Sequence, residues 1–168
     1  SYGIRADLPY SRFATEEEQV YYAVKFGSGD LNPHYFLHPP FFAYVLFAIY
    51  GLTFVIGRVT GAFGGVSDFE RLFFTAPTLF FLIARVLVLA LAVGGLLAFY
   101  RLSKRLYGRE AVALLATAFL GSSTFYVSAA HYANTDIPMT VVALLSLLAI
   151  VGVLRAGGAA RSALAGLL

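Results

Sequence analysis

Residues 86–109 read VLVLALAVGGLLAFYRLSKRLYGR. An apolar run from Val86 to Tyr100 meets a cluster of basic side chains, Arg101, Lys104, Arg105 and Arg109. Extended back to residue 79, the run reaches the roughly 20 residues that a helix needs to cross a bilayer core. A helix satisfies its own backbone hydrogen bonds in lipid, so the stretch 79–100 predicts a transmembrane helix. Basic side chains collect on the cytoplasmic face, so residues 101–109 are predicted to form a cytoplasmic turn.

Working outward, the stretches 111–130 and 137–154 are similarly apolar and are predicted as two further spans. Arg155 and Arg161 follow the second of these, which puts that end in the cytoplasm as well. The connection from His131 to Asp136 holds no Lys or Arg and is predicted to lie outside. Residues 162–168, Ser-Ala-Leu-Ala-Gly-Leu-Leu, read as the start of another span. The expected fold class is therefore all-α, a polytopic membrane protein.

Composition agrees with this class. The chain is 60% hydrophobic and 12% charged with a mean hydropathy of +0.78, whereas soluble domains are about a quarter charged. With 16 Phe, 11 Tyr and no Trp, anchoring at the headgroups falls to Tyr and Phe. The absence of cysteine excludes disulfides, thiolate zinc sites and Cys nucleophiles. The net charge of +3 is divided among short loops with no continuous basic face, so no nucleic acid is expected as partner. Ser1 opens the chain and no signal-peptide layout precedes residue 38, so the 168 residues are expected to be an internal fragment.

The stretch 39–57 permits two placements. Its length suits a span, while Phe41, Phe42, Tyr44, Phe47, Tyr50 and Phe54 suit a helix lying at the interface. If it spans, residues 1–38 share the cytoplasmic side with Arg101. If it lies flat, they share the outer side with Asp136, and the thin scatter of basic residues over 1–38 favours this second placement. The expected organisation is thus an outer loop, residues 1–76, with juxtamembrane helices at about 16–27 and 39–57, followed by the membrane helices of residues 77–168.

Within the outer loop, Thr15-Glu16-Glu17-Glu18 ahead of Val20, Tyr21 and Val24 reads as a capping box, and Gly27, Ser28 and Gly29 as the stop of a short helix. Acids in a first helical turn stabilise it, which accounts for some of the three. Three adjacent carboxylates exceed what a cap requires, and their repulsion raises at least one pKa, as suits a general base. Asp136, ahead of Ile137 and Pro138, reads either as a helix cap or, with His131, as an outer polar site. Arg85 lies inside an apolar stretch, where it must either snorkel to the surface or bind an anion such as a lipid phosphate. His34, His38 and His131 read as hydrogen-bonding groups or as nitrogen ligands to a metal. Gly61, Gly64 and Gly65 lack the strand-to-helix context of a nucleotide site, so a nucleotide-sugar donor is not expected.

The ordered set resembles the dolichyl-phosphate-mannose protein mannosyltransferases and their bacterial relatives, including the aminoarabinose transferases of lipid A. The resemblance runs through Glu16-Glu17-Glu18, then Gly29-Asp30-Leu31-Asn32-Pro33-His34, His38-Pro39-Pro40 and Ala84-Arg85. It continues through the 100–109 turn and through His131-Tyr132-Ala133-Asn134-Thr135-Asp136-Ile137-Pro138. It implies a GT-C type glycosyltransferase whose first outer loop carries the catalytic acid, commonly an Asp in an Asp-Glu pair. Here the position holds Glu, which leaves Glu16 and Glu17 as alternatives.

The reaction implied is inverting transfer of a sugar from a polyprenyl-phosphate donor to a hydroxyl of a protein, lipid or glycan acceptor, among membrane lipids on the outer face. Glu17 or Glu16 would act as base, Arg85 as partner of the phosphate, and Asp136 with His131 would orient the acceptor or a divalent cation. His38 and Tyr21 complete the expected substrate-binding set. No metal ligand set or other cofactor is assigned. The alternative from another class is a transporter or flippase of lipid-linked sugars that uses the same residues without catalysis.

Overall fold

A computed structural model describes the backbone of residues 14–34 and 38–156. All regular structure among these residues is helical: α1 (Ala14–Lys25), a 3-10 turn (Phe26–Ser28), α2 (Phe41–Val59), α3 (Val66–Thr75), α4 (Thr78–Tyr107), α5 (Glu110–Ser122), α6 (Thr124–Ala129) and α7 (Asp136–Ala156). Three of them, α2, α4 and α7, are long and apolar enough to cross a membrane. The segments form two compact units. One holds α1 to α3, α4 as far as Val88, and residues 131–135; the other holds α4 from Leu89, α5, α6 and α7.

In the first unit α1 places Glu16, Gln19, Val20 and Ala23 on its buried face, and Phe26 of the following turn continues it. This is the i, i+3, i+4, i+7 spacing of a helix with one packed stripe. The stripe meets Phe42, Ala43, Leu46 and Tyr50 of α2, with Phe26 stacked on Tyr44 at 4.9 Å. Gly29 ends the turn in the left-handed conformation, φ +93°, which costs glycine nothing. The stop predicted at Gly27 to Gly29 therefore stands where expected. The chain is already helical at Ala14, the first described residue, and the capping contact expected of the Thr15 side chain lies outside what the structure describes.

Helix α3 was not predicted. It carries Phe69 and Phe73 onto Phe80 of α4, with ring centroids 5.0 and 5.3 Å apart, and Phe54 and Phe63 extend the cluster. Tyr50 donates to the Phe80 carbonyl at 2.9 Å. The first turns of α4 are thus the point on which α2 and α3 converge.

The second unit departs from expectation in two places. Helix α4 does not stop at residue 100 but runs 30 residues through the basic cluster, ending at Gly108, φ +68°. Arg, Leu, Ser and Lys are tolerated in a helix, so the basic residues from Arg101 to Arg105 do not end it. The continuous span expected over 111–130 is instead two helices, α5 and α6, separated at Ser123, whose backbone is extended. Gly121-Ser122-Ser123-Thr124 explains the break, since short hydroxyl side chains compete for backbone partners and Ser122 donates to the Phe119 carbonyl.

Packing here is apolar, around Ala98, Leu102 and Leu144 with Phe99, Leu148 and Val151 against them. Gly95 permits the closest approach: a Cβ there would sit 2.7 Å from the Tyr126 hydroxyl and 3.2 Å from a Val141 methyl. Tyr126 donates to the Ala92 carbonyl at 2.7 Å. The start of a further span at 162–168 lies outside the described residues.

Candidate functional site

The buried face of α1 is apolar except at Glu16 and Gln19, and its neighbour across the unit is Arg85 of α4. Arg85 and Glu16 are both fully buried. Arg85 Nε donates to Glu16 Oε1 at 2.7 Å and its Nη2 donates to Oε2 at 2.8 Å, a planar fork on a planar carboxylate. A third donor comes from the far side: the backbone N–H of Ala133 reaches Glu16 Oε1 at 3.0 Å. The ring of Tyr132 covers the guanidinium, its centroid 5.3 Å from Cζ, close enough for a cation–π contact.

One carboxylate therefore ties α1, α4 and the 131–135 turn together. Burying two opposite charges is tolerated only where geometry is good and the remaining lone pairs are used, and the third donor does this for Oε1. Gln19, one turn on from Glu16, is also buried, and its Oε1 has no hydrogen-bond partner among the described residues.

The other side of α1 is open. Glu17 and Tyr21 are exposed and stand four residues apart, so they share a face of the helix. Tyr21 meets Tyr22 edge to face at 5.8 Å. Glu16 and Glu17, alternatives in the sequence, are thus separated by environment: one is sealed against Arg85 and the other faces outward. Glu18 is half-buried between them.

The remaining candidates divide. His131 is half-buried and lies in the turn that Glu16 holds through Ala133. Asp136 belongs to the second unit, where it is exposed and opens α7, with Thr140 donating to its carbonyl at 2.7 Å. His38 is half-buried ahead of Pro39 and Pro40.

His34 is bound within its own loop. Its Nε2 lies 2.8 Å from Asp30 Oδ2, while Asp30 Oδ1 accepts from the Asn32 N–H and Asn32 Oδ1 accepts from the His34 N–H. His34 adopts φ +56°, a conformation uncommon outside glycine. The His34 contact, followed by the Asn32 N–H, holds the Asp30 carboxyl below its ordinary range. No group of three His, Asp or Glu side chains suited to a metal occurs among the described residues.

The sequence singled out Arg85 and Glu16 separately but not their union, gave Tyr132 and Ala133 no role beyond their place in the 131–138 motif, and did not point to Gln19. The spacing of Glu16, Gln19, Val20 and Ala23 carries a signal for Glu16, because it places that acid on the apolar face of α1. Compared with protein-family models, with curated proteins and with solved structures, the chain finds no match in any of the three.

Proposed function

We propose that the chain forms part of a membrane glycosyltransferase that moves a sugar from a polyprenyl-phosphate donor to an acceptor hydroxyl on the outer face of the membrane. The observation that carries the reading is the meeting of α1, α4 and the 131–135 turn at Glu16. Three segments on which the family resemblance rests, far apart in the chain, converge beside an exposed carboxylate, Glu17.

In this reading Glu17 is the base. Its carboxylate takes the proton of the acceptor hydroxyl, whose oxygen attacks the anomeric carbon. The bond from that carbon to the phosphate oxygen breaks, and its electron pair leaves with the polyprenyl phosphate. A single displacement inverts the anomeric centre, and Glu17 returns its proton to water. His131, in the same unit as Glu17, orients the acceptor, and Tyr21 and His38 of that unit contribute to its binding. Arg85, expected from sequence to hold the donor phosphate, has its fork occupied by Glu16 and is given no phosphate role here.

Placement in the bilayer supports the outer-face reading. Helix α2 is long enough to cross a membrane, and Tyr50, its midpoint, meets Phe80 in the first turn of α4. With α2 lying along the surface, residues 1–38 share the outer side with residues 131–136, as the thin scatter of basic residues over 1–38 favours. The exposed face of α2, Leu52, Val55, Ile56 and Val59, then meets acyl chains, and α1 covers its other face with Glu17 and Tyr21 toward water.

The test is transfer. The intact protein in membrane vesicles, supplied with radiolabelled polyprenyl-phosphate sugars, should move label into acceptor with inversion. Movement of intact labelled lipid between leaflets, with no bond broken, would favour the transporter instead.

A further inference from the structure

Arg85 and Glu16 form a guanidinium–carboxylate pair in which each partner is fully buried and two hydrogen bonds join them. Mere docking of α1 would not need them. Apolar side chains of similar volume often hold two helices as well as a buried ion pair does, because desolvation offsets much of the attraction. What the pair adds is direction. Two parallel bonds from a planar fork fix the carboxylate in the plane of the guanidinium and so set the rotation of α1 about its own axis. An apolar contact leaves that rotation soft. Glu17 is the next residue, about 100° further round the helix, so the angle at which it faces outward follows from the angle at which Glu16 is held. The Ala133 N–H makes the same carboxylate the reference for the turn that carries His131.

We infer that Arg85 is a positioning residue: through Glu16 it fixes the orientation of Glu17 on α1 and the seat of His131 in the 131–135 turn, and it does not contact the donor. This rests on the glycosyltransferase reading and alters one part of it, because a phosphate on Arg85 would have to displace Glu16 from a closed site. A reacting group moved by about 1 Å can lose about 10²-fold in rate, so the pair acts on kcat without touching substrate.

The experiment is a double-mutant cycle on the intact protein, with Glu16→Gln, Arg85→Met and the two combined, plus Arg85→Lys. Melting temperature and the kcat and donor KM for sugar transfer are measured for each. Both single variants should melt on the order of 10 °C lower, and the combined variant no lower than the worse single. Each single should lose about 10²-fold in kcat with donor KM changed less than twofold, the combined loss should equal the larger single loss, and Arg85→Lys should recover part of it. If the singles fail to fold, Glu16→Leu with Arg85→Met leaves no buried charge and carries the same comparison of kcat with KM.

A donor KM raised tenfold or more by Arg85→Met and left alone by Glu16→Gln would overturn the inference, as would additive losses in kcat. Either result, with a parent that transfers sugar, leaves the glycosyltransferase reading intact. A parent that transfers no sugar removes that reading and the positioning role with it, whereas coupled melting temperatures would still establish the tie itself.

Discussion

Arg85 and Gly95 lie on the same helix, α4, and both are buried, but they bring their neighbours in by opposite means. At Arg85 the neighbours are the Glu16 carboxylate and the Tyr132 ring, and that carboxylate accepts in turn from the Ala133 N–H. At Gly95 they are the Tyr126 hydroxyl and a Val141 methyl, admitted because no side chain stands in the way. Helices in lipid gain nothing from moving apolar surface out of water, so close packing over small residues is the ordinary way to join them. The second unit is packed by apolar side chains around Ala98, Leu102 and Leu144, with its closest approach at Gly95. The first unit also packs apolar side chains, Ala23, Ala43 and Leu46 among them, and adds to them a buried ion pair next to Glu17. A buried ion pair is weak evidence for stability as such, so its presence beside Glu17 calls for a reason in orientation.

This contrast can be broken by mutation. Removing one partner of the buried pair, as in Arg85→Met, leaves an uncompensated charge and should cost about 3–5 kcal/mol. Gly95→Val should cost less, about 1–3 kcal/mol, because overpacking is relieved by shifts of Tyr126 and Val141. Thermal unfolding of the two variants in one detergent checks the order. Equal losses would mean that the pair is no more demanding than a small-residue contact.

A smaller effect belongs to the exposed loop. Asp30 is held low mainly by His34 and next by the Asn32 N–H, so its stabilising contact is present above the ordinary carboxylate pKa and is lost as pH falls through the lowered value. Replacing His34 with Gln should move the Asp30 midpoint up toward the ordinary value, as followed by the carboxyl carbon shift in an NMR titration. A midpoint that does not move would show that the Asp30–His34 contact is not made in solution.

Both kinds of packing were only partly legible in the sequence. The helices α4 and α7, long and apolar enough to cross a membrane, are visible because their runs of Leu, Val and Ala leave few alternatives. The stop at Gly29 is visible from the placing of Gly27, Ser28 and Gly29 directly after the amphipathic run. Helix α3 was hidden because its apolar spacing, Val66, Phe69 and Phe73, spans under three turns and follows a glycine-rich loop. The break at Ser123 was hidden by the apolar residues on either side, although Gly121-Ser122-Ser123-Thr124 carries the cause. Arg85 drew attention as a charge in apolar surroundings, which fixes only that it has a partner and not which. Its union with Glu16 joins residues 69 positions apart, and no local periodicity reports a contact of that range.

The central claim is that two adjacent, chemically identical acids have been given different work, Glu16 sealed as an anchor and Glu17 open as the base. The most direct measurement is turnover of Glu17→Gln in the intact protein, with Glu18→Gln as control and with expression and donor binding checked in both. The amide keeps the shape and removes the proton affinity, so Glu17→Gln should lower kcat by roughly 10²–10⁴ while Glu18→Gln stays near the parent. Near-native kcat in Glu17→Gln would contradict the account and return the open face of α1 to a role in binding alone.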